Sequence, residues 1–236
     1  MSRLGIRFSL AAALTLVAAA TCHASTVPAL QLATVPDVQV IEGDASPAPL
    51  RSVLAAEGSG PIILLPIYTR CSASCPILTR KLETALAAMK STGPYRVIVV
   101  SFDPLETAES LRLYREHEHV PTVWKIVRAS DDEIRNLFGF FRYSVMNQEG
   151  TLLHPNEIFL LDNDLKWRWT VVGEDWTPQE LATVIEQTRS PGLVANLRAR
   201  PEALAWAGFA GVILGFGLAI GWLLFRKPSR QPIPAH

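Results

Sequence analysis

The stretch Ile62–Lys90, IILLPIYTRCSASCPILTRKLETALAAMK, holds the reading of the whole chain. Ile62–Pro66 is an unbroken apolar run, as expected of a strand buried on both faces. Cys71 and Cys75 follow, spaced Cys-x-x-x-Cys. Pro76 then opens an amphipathic helix, with Leu78, Leu82, Leu86 and Met89 recurring at helical spacing. The first turn of such a helix offers unpaired N–H groups and the positive end of its dipole, so a thiolate there is stabilised. The spacing puts Cys71 in the loop and Cys75 at the helix mouth, both sulfurs facing one cleft.

The two ends of the chain are expected to be membrane signals. Residues 1–24 read as a secretory signal: Arg3 and Arg7 precede the apolar core Phe8–Ala20, and cleavage falls after Ala24, with Ala20 as the alternative. Thr21 stands where a lipoprotein signal needs Gly or Ala, which argues against lipidation of Cys22. Leu204–Phe225, LAWAGFAGVILGFGLAIGWLLF, carries no charge, is long enough to cross a bilayer, and has Trp206 and Trp222 near its ends. The expected order is signal peptide 1–24, extended lead-in 25–57, domain 58–190, tether 191–203, transmembrane helix 204–225 and cytoplasmic tail 226–236. The domain then faces the periplasm from a bacterial inner membrane. Lys plus Arg equals Asp plus Glu, 22 each, and no basic stripe is present, so nothing points to nucleic acid and none is expected as a partner. After cleavage at Ala24, Cys71 and Cys75 are the remaining cysteines. A bridge closing so short a loop removes little unfolded-state entropy, so stability alone is a poor reason for the pair.

Along the domain, a short strand is expected at Val38–Ile41 in the lead-in. Tyr95–Phe102 reads as a second buried strand, Thr107–Glu118 as a helix and Val123–Val127 as a third strand. Ser130 with Glu133 caps a short helix to Phe138. Met146–Leu153 reads as a loop. Glu157–Leu161 and Trp167–Val172 make a hairpin, and Thr177-Pro178-Gln179-Glu180 starts a closing helix. Parallel crossovers followed by an antiparallel pair predict an α/β, thioredoxin-like mixed sheet flanked by helices, with the C-terminal transmembrane helix added.

Two thiolates can bind Cu(I), undergo disulfide chemistry or supply half of a zinc site. A third ligand separates these options. His117 and His119, in EHEH at a polar helix end, read as a solvated surface pair. His154 stands where the chain re-enters the sheet after the Met146–Leu153 loop, a point that lies beside the cysteines in this fold. An imidazole there closes a trigonal Cys-Cys-His site; an ordinary loop histidine is the alternative.

Tyr68-Thr69-Arg70-Cys71 with Cys75-Pro76, the stretch Ser101-Phe102-Asp103-Pro104-Leu105-Glu106-Thr107, and His154 eight residues before Asp162 together resemble the Sco/SenC family of copper-delivery proteins. The resemblance covers roughly Gly60–Gln187. It implies Cu(I), and Cu(II) as a further possibility, on Cys71, Cys75 and His154. It also implies a disulfide between the two cysteines when oxidised, the copper centre of cytochrome oxidase subunit II or another exported copper protein as client, and a thiol reductant protein as partner. The enzymatic alternative is a thiol–disulfide reductase that keeps a client's copper-ligand cysteines reduced, with Cys71 and Cys75 as its catalytic pair. Three departures mark the chain as divergent: its expected membrane span is C-terminal where the family's anchor is commonly N-terminal, and two more lie at the site. The cysteine loop is Ser72-Ala73-Ser74 where the family usually has Pro and Asp, and Leu153 precedes the histidine where the family usually has Asp. Asp103 reads equally as orienting a neighbour of the site or as capping the helix near Thr107. Pro155 raises the question of a cis bond opposite the cysteines.

Overall fold

The computed structural model describes residues 25–29, 33–89 and 93–189. The expected signal peptide, tether, membrane span and tail lie outside these residues. Among the described residues no helix is long and apolar enough to cross a membrane.

Three parallel strands form the centre: β4 (Ile62–Ile67), β5 (Arg96–Ser101) and β6 (Lys125–Ala129). Every residue of β4 and β5 is buried, which is why β4 reads as an unbroken apolar run and β5 as an apolar run, Val97–Val100, between Arg96 and Ser101. Helices α2 (Ser74–Ala88) and α3 (Ala108–His117) make the crossovers between them. Helix α4 (Asp131–Phe140) follows β6. β9 (Glu157–Leu161) lies antiparallel to β4, β10 (Trp167–Val172) antiparallel to β9, and α5 (Pro178–Arg189) closes the domain. This is the mixed sheet flanked by helices that the element order predicts.

The lead-in is more structured than expected. β1 (Thr26–Pro28) pairs with β10 at one edge. β2 (Gln39–Glu42) pairs with β6 near the other, followed by β3 (Ala48–Pro49) and the short helix α1 (Leu50–Ala55). The full order is β1-β10-β9-β4-β5-β6-β2-β3. β1 and β3, the edge strands, are two or three residues long and each contains a proline, which blunts the edge.

Three differences from the sequence expectation have a clear local cause. α2 begins at Ser74, so Pro76 is its third residue; its missing N–H is still one that no intrahelical carbonyl would have paired. β6 begins at Lys125 because the Trp124 N–H closes a turn on the Pro121 carbonyl at 3.0 Å, leaving Val123 exposed. Met146–Leu153 is a hairpin of its own, β7 (Met146–Gln148) and β8 (Thr151–Leu153). Its turn residues Glu149 and Gly150 both have positive φ, 51° and 88°, the sense that matches strand twist.

Pro66 explains how the sheet opens at the site. Proline removes a ladder hydrogen bond and is poorly placed in a central strand. β9, however, pairs with β4 only along Ile62–Leu64. Ile67 accepts from the Phe102 N–H on the β5 side, so Pro66 turns its nitrogen toward β9, beyond the last pair. The end of β4 is thus free on that side, and the segment leading into β9 enters there.

Candidate metal centre

Cys71 leaves β4 through a turn in which its N–H bonds the Tyr68 carbonyl at 3.1 Å. α2 has no side-chain cap from Ala73; the Cys71 sulfur takes that part, accepting the Cys75 N–H at 3.5 Å. Ser74 Oγ lies 4.0 Å from the same sulfur. Cys75, in the first turn of α2, is almost fully buried, whereas Cys71 is 8 % exposed. A groove of about 630 Å³, walled by Pro76, Arg80, Leu113, Tyr114 and Glu118, reaches Cys71 and not Cys75. Both cysteines are free thiols.

The two sulfurs are electrostatically unequal. Cys71 is lowered to about 3, chiefly by the hydrogen bond from the Cys75 thiol and then by the backbone N–H groups of Cys75 and Ala73; burial opposes this. Cys75 is pushed well up, by that same hydrogen bond and by its burial. Cys71 is the thiolate of the pair and Cys75 the proton-bearing partner.

His154 joins them from the end of the β7–β8 hairpin. Its Nε2 lies 3.7 Å from Cys75 Sγ. Its Nδ1 lies 2.9 Å from the Pro155 carbonyl and 2.9 Å from the Tyr143 hydroxyl. A carbonyl oxygen only accepts, so it assigns the proton to Nδ1 and leaves the Nε2 lone pair facing the sulfurs. The ring is held among aromatic neighbours: Phe102 at 4.9 Å between centroids, Tyr68 at 5.7 Å edge-on and Tyr143 at 6.1 Å. The ligand atoms of Cys71, Cys75 and His154 all lie within 4.8 Å of one another. They form the one group of three or more such residues among the described residues that can hold a metal ion. Two sulfurs and one imidazole nitrogen are a soft donor set, suited to Cu(I).

A second layer holds the cysteine loop. Glu106, 8 % exposed, accepts from the Thr69 N–H at 3.0 Å, Thr69 Oγ1 at 2.7 Å, Ser101 Oγ at 2.8 Å and Ser110 Oγ at 2.6 Å. Asp103, 2 % exposed, receives Arg70 Nε at 3.0 Å and Nη2 at 2.5 Å, and its other oxygen takes the Leu105 N–H. Asp103 therefore orients the neighbour of Cys71; the cap of α3 is made by Thr107 with Ser110. Both carboxylates sit on the loop after β5 and grip the loop after β4. Parallel pairing of β4 and β5 brings those loops together.

The sequence reading placed Cys71, Cys75 and His154, and the structure brings all three together. His117 and His119 are exposed and belong to no metal cluster among the described residues; His117 Nδ1 lies 2.8 Å from Glu118 Oε1. Pro155 follows His154 through a trans bond. Tyr143 and Glu106 were not foreseen. Glu106 lay inside the quoted Ser101–Thr107 stretch, and its three nearby hydroxyl residues were the available signal. Tyr143 carries none, because its role depends on a tertiary contact across the hairpin.

The SCO1/SenC family profile matches residues 56–190, more than half of the chain. Comparison with curated proteins gave no match. Among solved structures, a protein of Aquifex aeolicus provisionally named as an electron transfer protein aligns at 24% identity and TM-score 0.61, over 67% of this chain and 94% of its own. Arabidopsis thaliana ScoI with copper bound aligns at 18% identity and TM-score 0.57, over 66% and 98%. BsSco, described by a disulfide switch as a member of the Sco family of cytochrome c oxidase assembly proteins, aligns at 19% and 0.56, over 66% and 94%. These likenesses establish the thioredoxin-like fold with its sheet flanked by helices. The profile match across the whole cysteine-bearing domain shows that the chain belongs to the SCO1/SenC family.

Proposed function

We propose that the chain is a copper carrier: it holds Cu(I) as cargo on Cys71, Cys75 and His154 and passes it to an exported copper protein. The observation that carries this reading is the convergence of two free sulfurs and one oriented imidazole nitrogen within 4.8 Å. Copper bound to Arabidopsis ScoI supports it by kinship. Thiolates select Cu(I) by softness, and three donors leave one side open to an incoming ligand. The groove at Cys71 is that side. The client that fits the family is the copper centre of cytochrome oxidase subunit II. Export by residues 1–24 and anchoring by Leu204–Phe225 keep the domain at the periplasmic face of the inner membrane, where tethering raises its effective concentration near a membrane-bound client.

X-ray absorption of the Cu(I)-loaded protein tests the ligand set. Two sulfurs and one nitrogen are expected, with the nitrogen lost in His154→Ala. A spectrum with sulfur ligands alone in the unaltered protein defeats the site as proposed.

The inequality of the thiols favours a second reading, a thiol–disulfide reductase. A depressed, accessible Cys71 attacks the client disulfide; the buried Cys75 then releases the reduced client by closing the Cys71–Cys75 disulfide. A thiol reductant protein restores both thiols. His154→Ala separates the two readings, since it leaves exchange intact and removes a metal ligand.

A further inference from the structure

The opposite end of the central strands carries a charge without a partner. β4 and β5 each have six residues, so their starts lie about 20 Å from the cysteine loop. Arg96 opens β5 and is only 7% exposed. Its guanidinium donates to three neutral oxygens: the Leu54 carbonyl at 2.9 Å, the Gly60 carbonyl at 2.8 Å and Asn163 Oδ1 at 2.9 Å. Its Nε is buried without a partner. Among the described residues no carboxylate pairs with it, whereas buried Arg168 is paired with Asp162. An uncompensated buried cation is costly, and the structure accepts that cost here.

Arg96 lines a cleft of about 250 Å³ with Arg51, Ser59 and Asn163, and among the described residues no acidic side chain lines it. Arg51 is exposed, and its guanidinium has no ion pair or hydrogen bond among the described residues. Two guanidinium groups, a hydroxyl and a side-chain amide around one small volume are a donor set for a tetrahedral oxyanion. We infer that this cleft binds a phosphate group, with Arg51 and Ser59 as its contacts and Arg96 as its buried counter-charge.

The phosphate has two sources, a free anion or a lipid headgroup. The described chain ends at this pole: the Arg189 guanidinium packs 3.3 Å from where a Cβ on Gly93 would stand. Leu204 lies 15 residues further on. This is the end of the domain nearest in sequence to the expected span.

The test is thermal unfolding of the full chain in a non-ionic detergent at ionic strength held constant with chloride. One titration uses inorganic phosphate; the other uses glycerophosphoglycerol, a phosphodiester headgroup without acyl chains. The midpoint should rise with ligand concentration in the unaltered chain. Arg51→Gln should keep the ligand-free midpoint and show no more than about a third of that rise, and Ser59→Ala should lower it as well. A response to both compounds assigns the site to headgroups; a response to inorganic phosphate alone assigns it to the free anion. No rise with either, or an equal rise in both variants, which marks a general salt effect, overturns the proposal.

Discussion

Tyr143 and His154 meet hydroxyl to Nδ1 at 2.9 Å, on the side of the imidazole away from the sulfurs. Tyr143 is buried, and burial raises its pKa above the usual phenol value, so it meets the ring as a neutral hydroxyl. With the Pro155 carbonyl at the same distance, the ring nitrogen facing Cys75 is fixed by what the other nitrogen touches.

Removing that hydroxyl should therefore weaken the metal without touching a ligand. Tyr143→Phe keeps the ring that packs on Phe102 and Phe138. Cu(I) affinity should fall about tenfold, the low end for loss of an outer-shell partner. Competition with a Cu(I) chelator measures it, and unchanged affinity would mean that the Pro155 carbonyl suffices.

The thiols should differ in reactivity toward iodoacetamide in the reduced, metal-free protein. Cys71 is depressed to about 3, so it is thiolate from mildly acidic pH upward, and its alkylation should fade only as pH falls toward that value. Cys75 is raised and buried, and should stay unmodified across the same range. Peptide mass mapping at pH 5 reads both. Equal labelling of the two would contradict the assignment of Cys71 as the thiolate.

Glu106→Gln should cost more than Asp103→Asn. Glu106 accepts four hydrogen bonds, and an amide nitrogen there would oppose at least one donor. The expected loss is about 2 kcal/mol by urea unfolding. Asp103→Asn keeps an oxygen for the Leu105 N–H and gives up the pair with Arg70, whose side chain is 55% exposed and screened by water.

Gly60→Ala should be among the most damaging small changes. Gly60 has φ +115°, and a Cβ there would stand 2.2 Å from the Pro94 carbonyl oxygen. Gly43, at φ +56°, has open space around it. Gly60→Ala should destabilise by well over about 1 kcal/mol and more than Gly43→Ala, in urea unfolding of the two variants side by side.

The sequence carried the fold because its signals were local and consistent. The apolar runs of β4 and β5, the capping residues Ser130 and Thr177, and the β9–β10 turn at Asp162–Asp164 each spoke for the same sheet. The two cysteines were legible from spacing; the place of His154 before β9 left it open between a ligand and a loop histidine until the family resemblance was added. What was not legible depended on pairing partners far away in sequence. β1 is a strand because β10 offers an edge, not because Thr26–Pro28 has a pattern. The β7–β8 hairpin is short and its strands are largely exposed, so no alternation of apolar residues announces it. Tyr143 is a buried aromatic like any other until the hairpin lays His154 against it.

The most direct measurement is an anaerobic Cu(I) titration of the reduced protein against a competing chelator, beside His154→Ala. One tightly held copper per chain is expected, with affinity lowered by about tenfold or more on the substitution. Weak binding that is indifferent to His154, in a protein whose disulfide exchanges readily with thiols, would contradict the carrier and leave the reductase.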